Sequence, residues 1–180
     1  RVIECSSGEG ADTIFENLII TGGSAQTGGG VYCSASSPSF IGCAVLDNVA
    51  TSIGGGIYTT GESMPTLSAC RIDGNVAGDA GGGVFSSFSS LPVISSTFVC
   101  GNVPDQISGP FDDVGANCQS ASCDSCACPG DFNGDGEVNG GDLGVLLANW
   151  AAAGSDLNND GITNGGDLGL LLSLWGPCLP

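Results

Sequence analysis

A repeat across residues 28–106 limits what this chain can fold into more than any other feature. Gly28-Gly29-Gly30-Val31-Tyr32 returns as Gly54-Gly55-Gly56-Ile57-Tyr58 and again as Gly81-Gly82-Gly83-Val84-Phe85. An interval of 27 residues separates Pro38, Pro65 and Pro92, and the same interval relates Phe40, Leu67 and Ile94; Val45, Ile72 and Val99; and Asn48, Asn75 and Asn102. A fixed period of β-branched and aromatic residues, broken by Gly, Pro and Asn, marks a solenoid, whose units bury their apolar faces by stacking on one another. The apolar runs within a period span about 3–6 residues, which suits strands and is too short for helices. Three strands and three turns fit into one period, so each repeat is expected to form one coil of a parallel β-helix, with coils about 4.8 Å apart. Like residues then stack: Val31, Ile57 and Val84 inside, and Asn48, Asn75 and Asn102 as a structural ladder at a corner, each amide bonding the coils above and below.

A looser copy precedes the repeat, in Val2-Ile3-Glu4-Cys5-Ser6 and the run from Ile14 to Gly23. It places Cys5 over Cys33, and Cys43 and Cys70 share another column. Coil spacing lies inside the Cα range of a disulfide, so Cys5–Cys33 and Cys43–Cys70 are expected as staples between coils. The repeat resembles the GGG(V/I)-aromatic…Asn repeats of secreted right-handed β-helix proteins, the pectate-lyase-like superfamily in the broad sense. The resemblance covers residues 1–109 and implies a mainly β fold, a right-handed parallel β-helix of about four coils. It is specific for fold and silent on activity. No amphipathic capping helix is evident at either end, so open sheet edges are expected to favour end-to-end stacking.

Charge narrows the partners. Nineteen acidic residues stand against Arg1 and Arg71, with no Lys or His, for a net charge of −17. That balance excludes nucleic acid and anionic membrane, which need a basic surface, and favours divalent cations. No apolar run approaches the ~20 residues of a membrane span. Ten cysteines without any histidine point to disulfides rather than zinc, hence to an extracellular, secreted or cell-surface protein. The start at Arg1, without Met or signal peptide, reads as a processed product. Ser and Thr offer O-glycan acceptors, and no Asn-X-Ser/Thr sequon occurs.

From Val103 to Ala127 the period fails, and Pro104, Pro110, Cys118, Cys123, Cys126 and Cys128 suggest a Cys-rich connection over residues 110–129. Asp112-Asp113 reads as a solvated turn rather than an acid/base pair, since adjacent strand residues face opposite ways. Beyond it, the segment from Asp131 to Asp142 recurs 25 residues later as Asp156 to Asp167, and each copy runs into an apolar segment ending at Trp150 or Trp175. Oxygen-bearing side chains at loop positions 1, 3, 5, 9 and 12, with Gly at position 6, suit a calcium ion, which takes six to eight hard oxygen ligands around a sharp turn. Pro129-Gly130 forbids an entering helix, leaving loop then helix, twice.

This loop-then-helix arrangement resembles the type I dockerin over residues 130–180. The resemblance implies two F-hand calcium sites. Asp131, Asn133, Asp135, the Glu137 carbonyl and Asp142 would hold one ion. Asp156, Asn158, Asp160, the Ile162 carbonyl and Asp167 would hold the other, with Asn139 and Asn164 contributing directly or through water. Leu143, Leu146, Leu147 and Trp150, and their counterparts Leu168, Leu171, Leu172 and Trp175, have the spacing of one helical face, so the two stripes are expected to pack together with the Trp residues as core anchors. Cys128 and Cys178 bracket the module and would clasp its ends. One departure bears on function. Where cohesin-binding dockerins carry distinctive side chains at loop positions 10 and 11 and basic residues on the helices, this chain has Gly140-Gly141, Gly165-Gly166 and no Lys or Arg in the module.

Catalytic parts are scarce. There is no Lys or His for general base work, and Asp47, Asp73 and Asp79 show no acid/base pairing in their spacing. The sequence therefore points away from an enzyme. It favours a self-assembling, calcium-binding structural protein, followed by an adaptor for a cohesin-like partner, with a tethered carbohydrate-active β-helix last.

Overall fold

The computed structural model describes the chain except for residues 116, 124–128, 134–136, 159 and 178–180. Asp135, Cys126, Cys128 and Cys178 therefore lie outside the described residues. The chain divides into two compact units, Arg1–Cys126 and Ala127–Leu179.

The first unit is a parallel β-solenoid of about four coils. Ile3 pairs with Val31, Val31 with Ile57 and Ile57 with Val84, so successive coils advance by 28, 26 and 27 residues. One sheet contains Ile3–Cys5, Val31–Ser34, Ile57–Thr60, Val84–Ser86 and Ile107–Ser108. A second contains Ile14–Glu16, Ser39–Ile41, Thr66–Ser68, Val93–Ser95 and Asp112–Asp113. The third is Ile19–Thr21, Ala44–Leu46, Arg71–Asp73, Phe98–Cys100 and Cys118–Ser120. A fourth, three-stranded sheet of Ser24–Thr27, Val49–Ile53 and Val76–Ala77 corrects the expectation of three strands per coil. Its strands run four, five and two residues, and the second and third follow directly on Asn48 and Asn75, so they merge with the corner in the sequence.

Alternation along each strand sends apolar side chains inward. Val31, Ile57 and Val84, then Phe40, Leu67 and Ile94, then Val45, Ile72 and Val99 form three columns, each residue at most 1% exposed. Each such side chain contributes about 1.5–3 kcal/mol when fully buried, so these columns dominate the stability of the unit. The Gly-Gly-Gly turns serve two purposes. Gly28, Gly54 and Gly81 adopt φ of +60°, +67° and +64°, while a Cβ on the following Gly55 would sit 2.5 Å from the Val76 carbonyl of the next coil.

The corner amides are fully engaged. Asn48 donates its backbone N–H and Nδ2 to Asn75 Oδ1, both at 3.0 Å, and Asn75 does the same to Asn102 Oδ1, both at 2.9 Å. Each Nδ2 also donates to an inner carbonyl, of Ile20, Val45 or Ile72. A second ladder is not apparent in the sequence: Ser36 N–H donates to Ser63 Oγ, and Ser63 N–H to Ser90 Oγ, each at 3.1 Å. Ser is common enough in this chain to hide the spacing.

Two expectations are corrected here. Cys5, Cys33, Cys43 and Cys70 are buried free thiols, not coil-to-coil disulfides. Cys5 and Cys33 are register partners. In-register parallel neighbours, however, keep their Cβ atoms about 4.8 Å apart, and a disulfide wants about 3.8 Å; the Cα criterion alone is too permissive. Second, Asp112–Asp113 is a short exposed strand paired with Val93 and Ile94, and Cys118–Ser120 pairs with Phe98–Cys100. Parallel pairing thus continues into the stretch where the period fails. Cys100 is joined to Cys123, with Cα atoms 5.0 Å apart, and Cys118 is also disulfide-bonded.

Candidate functional site

The second unit holds two nine-residue helices, α1 (Gly140–Ala148) and α2 (Gly165–Ser173). Helices this short are marginal alone, and each opens on two glycines, so their starts must be fixed by the preceding loops. Asn139 Oδ1 accepts from the Gly141 N–H and Asn164 Oδ1 from the Gly166 N–H, each at 2.7 Å. In return the Asp142 and Asp167 carboxylates accept from the Asn139 and Asn164 N–H groups, which completes a capping box on each helix.

Asp142 and Asp167 are fully buried. Asp142 Oδ1 also accepts from Phe132 and Asn133, and Asp167 Oδ1 from Leu157 and Asn158, at 2.7–3.2 Å. Each carboxylate therefore ties the first residues of its loop to the first turn of its helix. Burial pushes the Asp142 carboxyl up, but the N–H groups of Asn139, Asn133 and Phe132 prevail and hold it below its ordinary value. The Asn164 N–H, with those of Leu157 and Asn158, holds Asp167 down in the same way against the effect of burial.

In the second loop, carboxylate oxygens of Asp156, Asp160 and Asp167 all lie within 4.8 Å of one another. Asp156 accepts from the Asp160 and Gly161 N–H groups, and Gly161 turns the loop at φ +93°. A carboxylate has about four acceptor positions, and Asp167 spends at least three of them on the N–H groups of Leu157, Asn158 and Asn164. Asn164 is placed differently: its oxygen caps α2, and its Nδ2 donates to Asp160 and to the Ile162 carbonyl. In the first loop Asp142 repeats the three bonds of Asp167, and the Asn139 oxygen caps α1 as the Asn164 oxygen caps α2.

The two loop–helix copies are closed reciprocally. Glu137–Val138 of the first loop pairs antiparallel with Gly176–Pro177, beyond α2. Thr163, the counterpart of Val138, exchanges backbone bonds with Ala151 and Ala152, beyond α1. Val138, Leu146 and Leu171 form the buried core, with Phe132, Leu143, Leu157 and Leu168 packed against it.

Trp150 and Trp175 are not core anchors. They are 46% and 48% exposed, and Leu147 and Leu172 are 52% and 54% exposed. Both Trp residues lie past the helix ends, whereas Leu143 and Leu146 of one stripe do meet Leu168 and Leu171 of the other, in a core that Phe132, Val138 and Leu157 complete. No helix among the described residues is long and apolar enough to cross a membrane. Comparison with protein-family models, with curated proteins and with solved structures returns no match for this chain.

Proposed function

We propose that this chain is an extracellular, calcium-binding structural protein whose solenoid self-assembles end to end, with a dockerin-like module as its metal-dependent element. The carboxylate cluster of Asp156, Asp160 and Asp167 carries this reading. Three such groups repel one another at neutral pH, and a hard divalent cation removes that cost while taking oxygen ligands from a loop that turns at glycine. Asp156, Asn158, Asp160, the Ile162 carbonyl and Asp167 would hold one ion. Asp131, Asn133, Asp135, the Glu137 carbonyl and Asp142 would hold a second. The ions fix the loops, and the loops fix the starts of both helices. For the solenoid, support comes from its first coil. Ile14 and Ile19 point outward, 56% and 72% exposed, where their partners in the next coils are Ser39 and Thr66, and Ala44 and Arg71.

Calorimetric titration of calcium into chelator-treated chain should report two ions, accompanied by a gain in helical circular dichroism and an unchanged β signal. An absence of heat, or equal loss of helix and β signal on chelation, would refute the reading. A second reading, an adaptor for a cohesin-like partner, is favoured by the half-exposed pairs Leu147/Trp150 and Leu172/Trp175, repeated on both helices. Negative-stain images with calcium and with chelator separate the two. Filaments support assembly; monomers that capture a cohesin-like domain support the adaptor.

A further inference from the structure

We propose that Asn139 and Asn164 are latent modification sites. The folded module keeps both intact; when it opens, each loses its side-chain amide to the glycine that follows, and the isoaspartyl form that results cannot rebuild the helix start. Asn–Gly occurs three times in the chain, at Asn133–Gly134, Asn139–Gly140 and Asn164–Gly165, and the last two open the two helices. Without a side chain, glycine leaves its amide nitrogen unshielded, so an Asn before it loses ammonia most easily.

The fold does not ask for glycine at these two positions. Neither Gly140 nor Gly165 has a positive φ, and a Cβ on either would meet nothing within 4 Å. Alanine would fit there and would favour the helix. The next glycines differ: a Cβ on Gly141 would lie 2.7 Å from Asn133 Nδ2, and one on Gly166 would lie 2.9 Å from Asn158 Nδ2. Packing therefore accounts for the second glycine of each pair and not for the first. What the first supplies, in both copies, is a reactive peptide bond beside the capping Asn.

The capping box holds that reactivity in check. Attack requires the Asn Cγ to swing over the nitrogen of the next residue. In the folded chain the Asn139 and Asn164 oxygens are instead held 2.7 Å from the Gly141 and Gly166 nitrogens, one residue too far along. The Asn N–H groups are held in turn, at 2.9 and 2.7 Å, by the buried Asp142 and Asp167 carboxylates. Reaction therefore waits for local opening.

Once the box opens, the Gly165 amide nitrogen gives its proton to solvent base and attacks Asn164 Cγ. Nδ2 leaves as ammonia, and a succinimide ring remains. Water opens the ring at Cγ to give Asp, or at the main-chain carbonyl to give an isoaspartyl link. One water enters and one ammonia leaves, with no change of oxidation state. The Asp product still caps a helix. The isoaspartyl product does not, because the main chain gains a carbon between the two N–H groups that the box must align. Asn139 and Gly140 follow the same course.

The test holds the 180-residue chain in mildly alkaline urea and, in parallel, folded with calcium present. Peptides are mapped for ammonia loss, and isoaspartate is detected with an isoaspartyl methyltransferase. Conversion at Asn139 and Asn164 should run roughly tenfold or more faster in urea than in the folded chain. Asn48, Asn75 and Asn102, each followed by Val, should stay intact in both. After urea is removed, chains carrying isoaspartate at these positions should regain the β signal and not the helical one. Gly140→Ala combined with Gly165→Ala should slow conversion in urea and, after the same exposure, recover the helical signal. Equal rates in the folded and open chain, intact Asn139 and Asn164 after urea, or full helical recovery by the isoaspartyl chains would each overturn the proposal. So would a doubly substituted chain that loses its helical signal as the original does.

Discussion

Asn75 shows how much of the solenoid rests on single polar groups. It is fully buried, donates to Val45, Asp73 and Asn102, and accepts twice from Asn48. Asn75→Ala leaves buried donors and acceptors without partners at about 1–3 kcal/mol each. Thermal unfolding of the β signal should therefore show a loss of roughly 3 kcal/mol or more. Backbone conformation sets two opposite substitutions. Ala69 sits in a corner turn at φ +51°, where a Cβ costs about 1 kcal/mol, so Ala69→Gly should raise solenoid stability by about that much. Gly144 lies inside α1 with open space where a Cβ would be, and Gly144→Ala should stabilise the helix by about 1 kcal/mol in chemical denaturation. If both substitutions destabilise, the turn and helix geometries described here are wrong.

Among the elements, the two helices depend most on their surroundings. Their N-termini are held by Asp142 and Asp167, whose carboxyls lie below their ordinary values in the folded chain. A depressed folded value means that the stabilisation is present above the unfolded value, about 3.9, and is lost as pH falls through the folded one. In saturating calcium, helical ellipticity should therefore persist down to about pH 4 and disappear below it. The β signal should hold through the same range, because the buried columns and the Asn ladder carry no titrating group. Asp167→Asn should shift the helical transition, since an amide cannot accept all three N–H bonds in the same geometry. A transition unmoved by that change would place the linkage elsewhere.

For the whole molecule, charge opposes assembly. The chain carries −17, and the two calcium ions proposed above would bring it only to −13. Copies meeting end to end repel one another unless salt screens them, and the screening length falls from about 30 Å at 0.01 M to about 10 Å at 0.1 M. Light scattering with calcium should therefore show self-association strengthening as ionic strength rises over that range. Ile14→Asp combined with Ile19→Asp should abolish it while leaving the calcium-dependent helix signal unchanged. Association that weakens with salt, or survives that double change, would rule out the first coil as the contact.

The repeat alone determined the stacking of the solenoid and its interior columns, because a parallel coil brings residues one period apart into register, and spacing in sequence becomes adjacency in space. The duplicated loop was legible for a related reason: its ligand-type residues are local, and Gly161 turns the chain where the spacing demands. Only the tertiary structure decided what depends on directions and neighbours. Cys5 and Cys33 share a register, yet in-register Cβ atoms stay about 4.8 Å apart where a disulfide wants about 3.8 Å, so the shared column leaves them as thiols. Trp150 and Trp175 fit a helical stripe by spacing, but Phe132, Val138 and Leu157 come from the loops to fill the core, leaving the Trp side chains half exposed. Asn139 and Asn164 read in sequence as contributing to an ion directly or through water, and only the fold shows that their oxygens also cap the helix starts. Periodicity specifies which residues meet; packing specifies which of their atoms do.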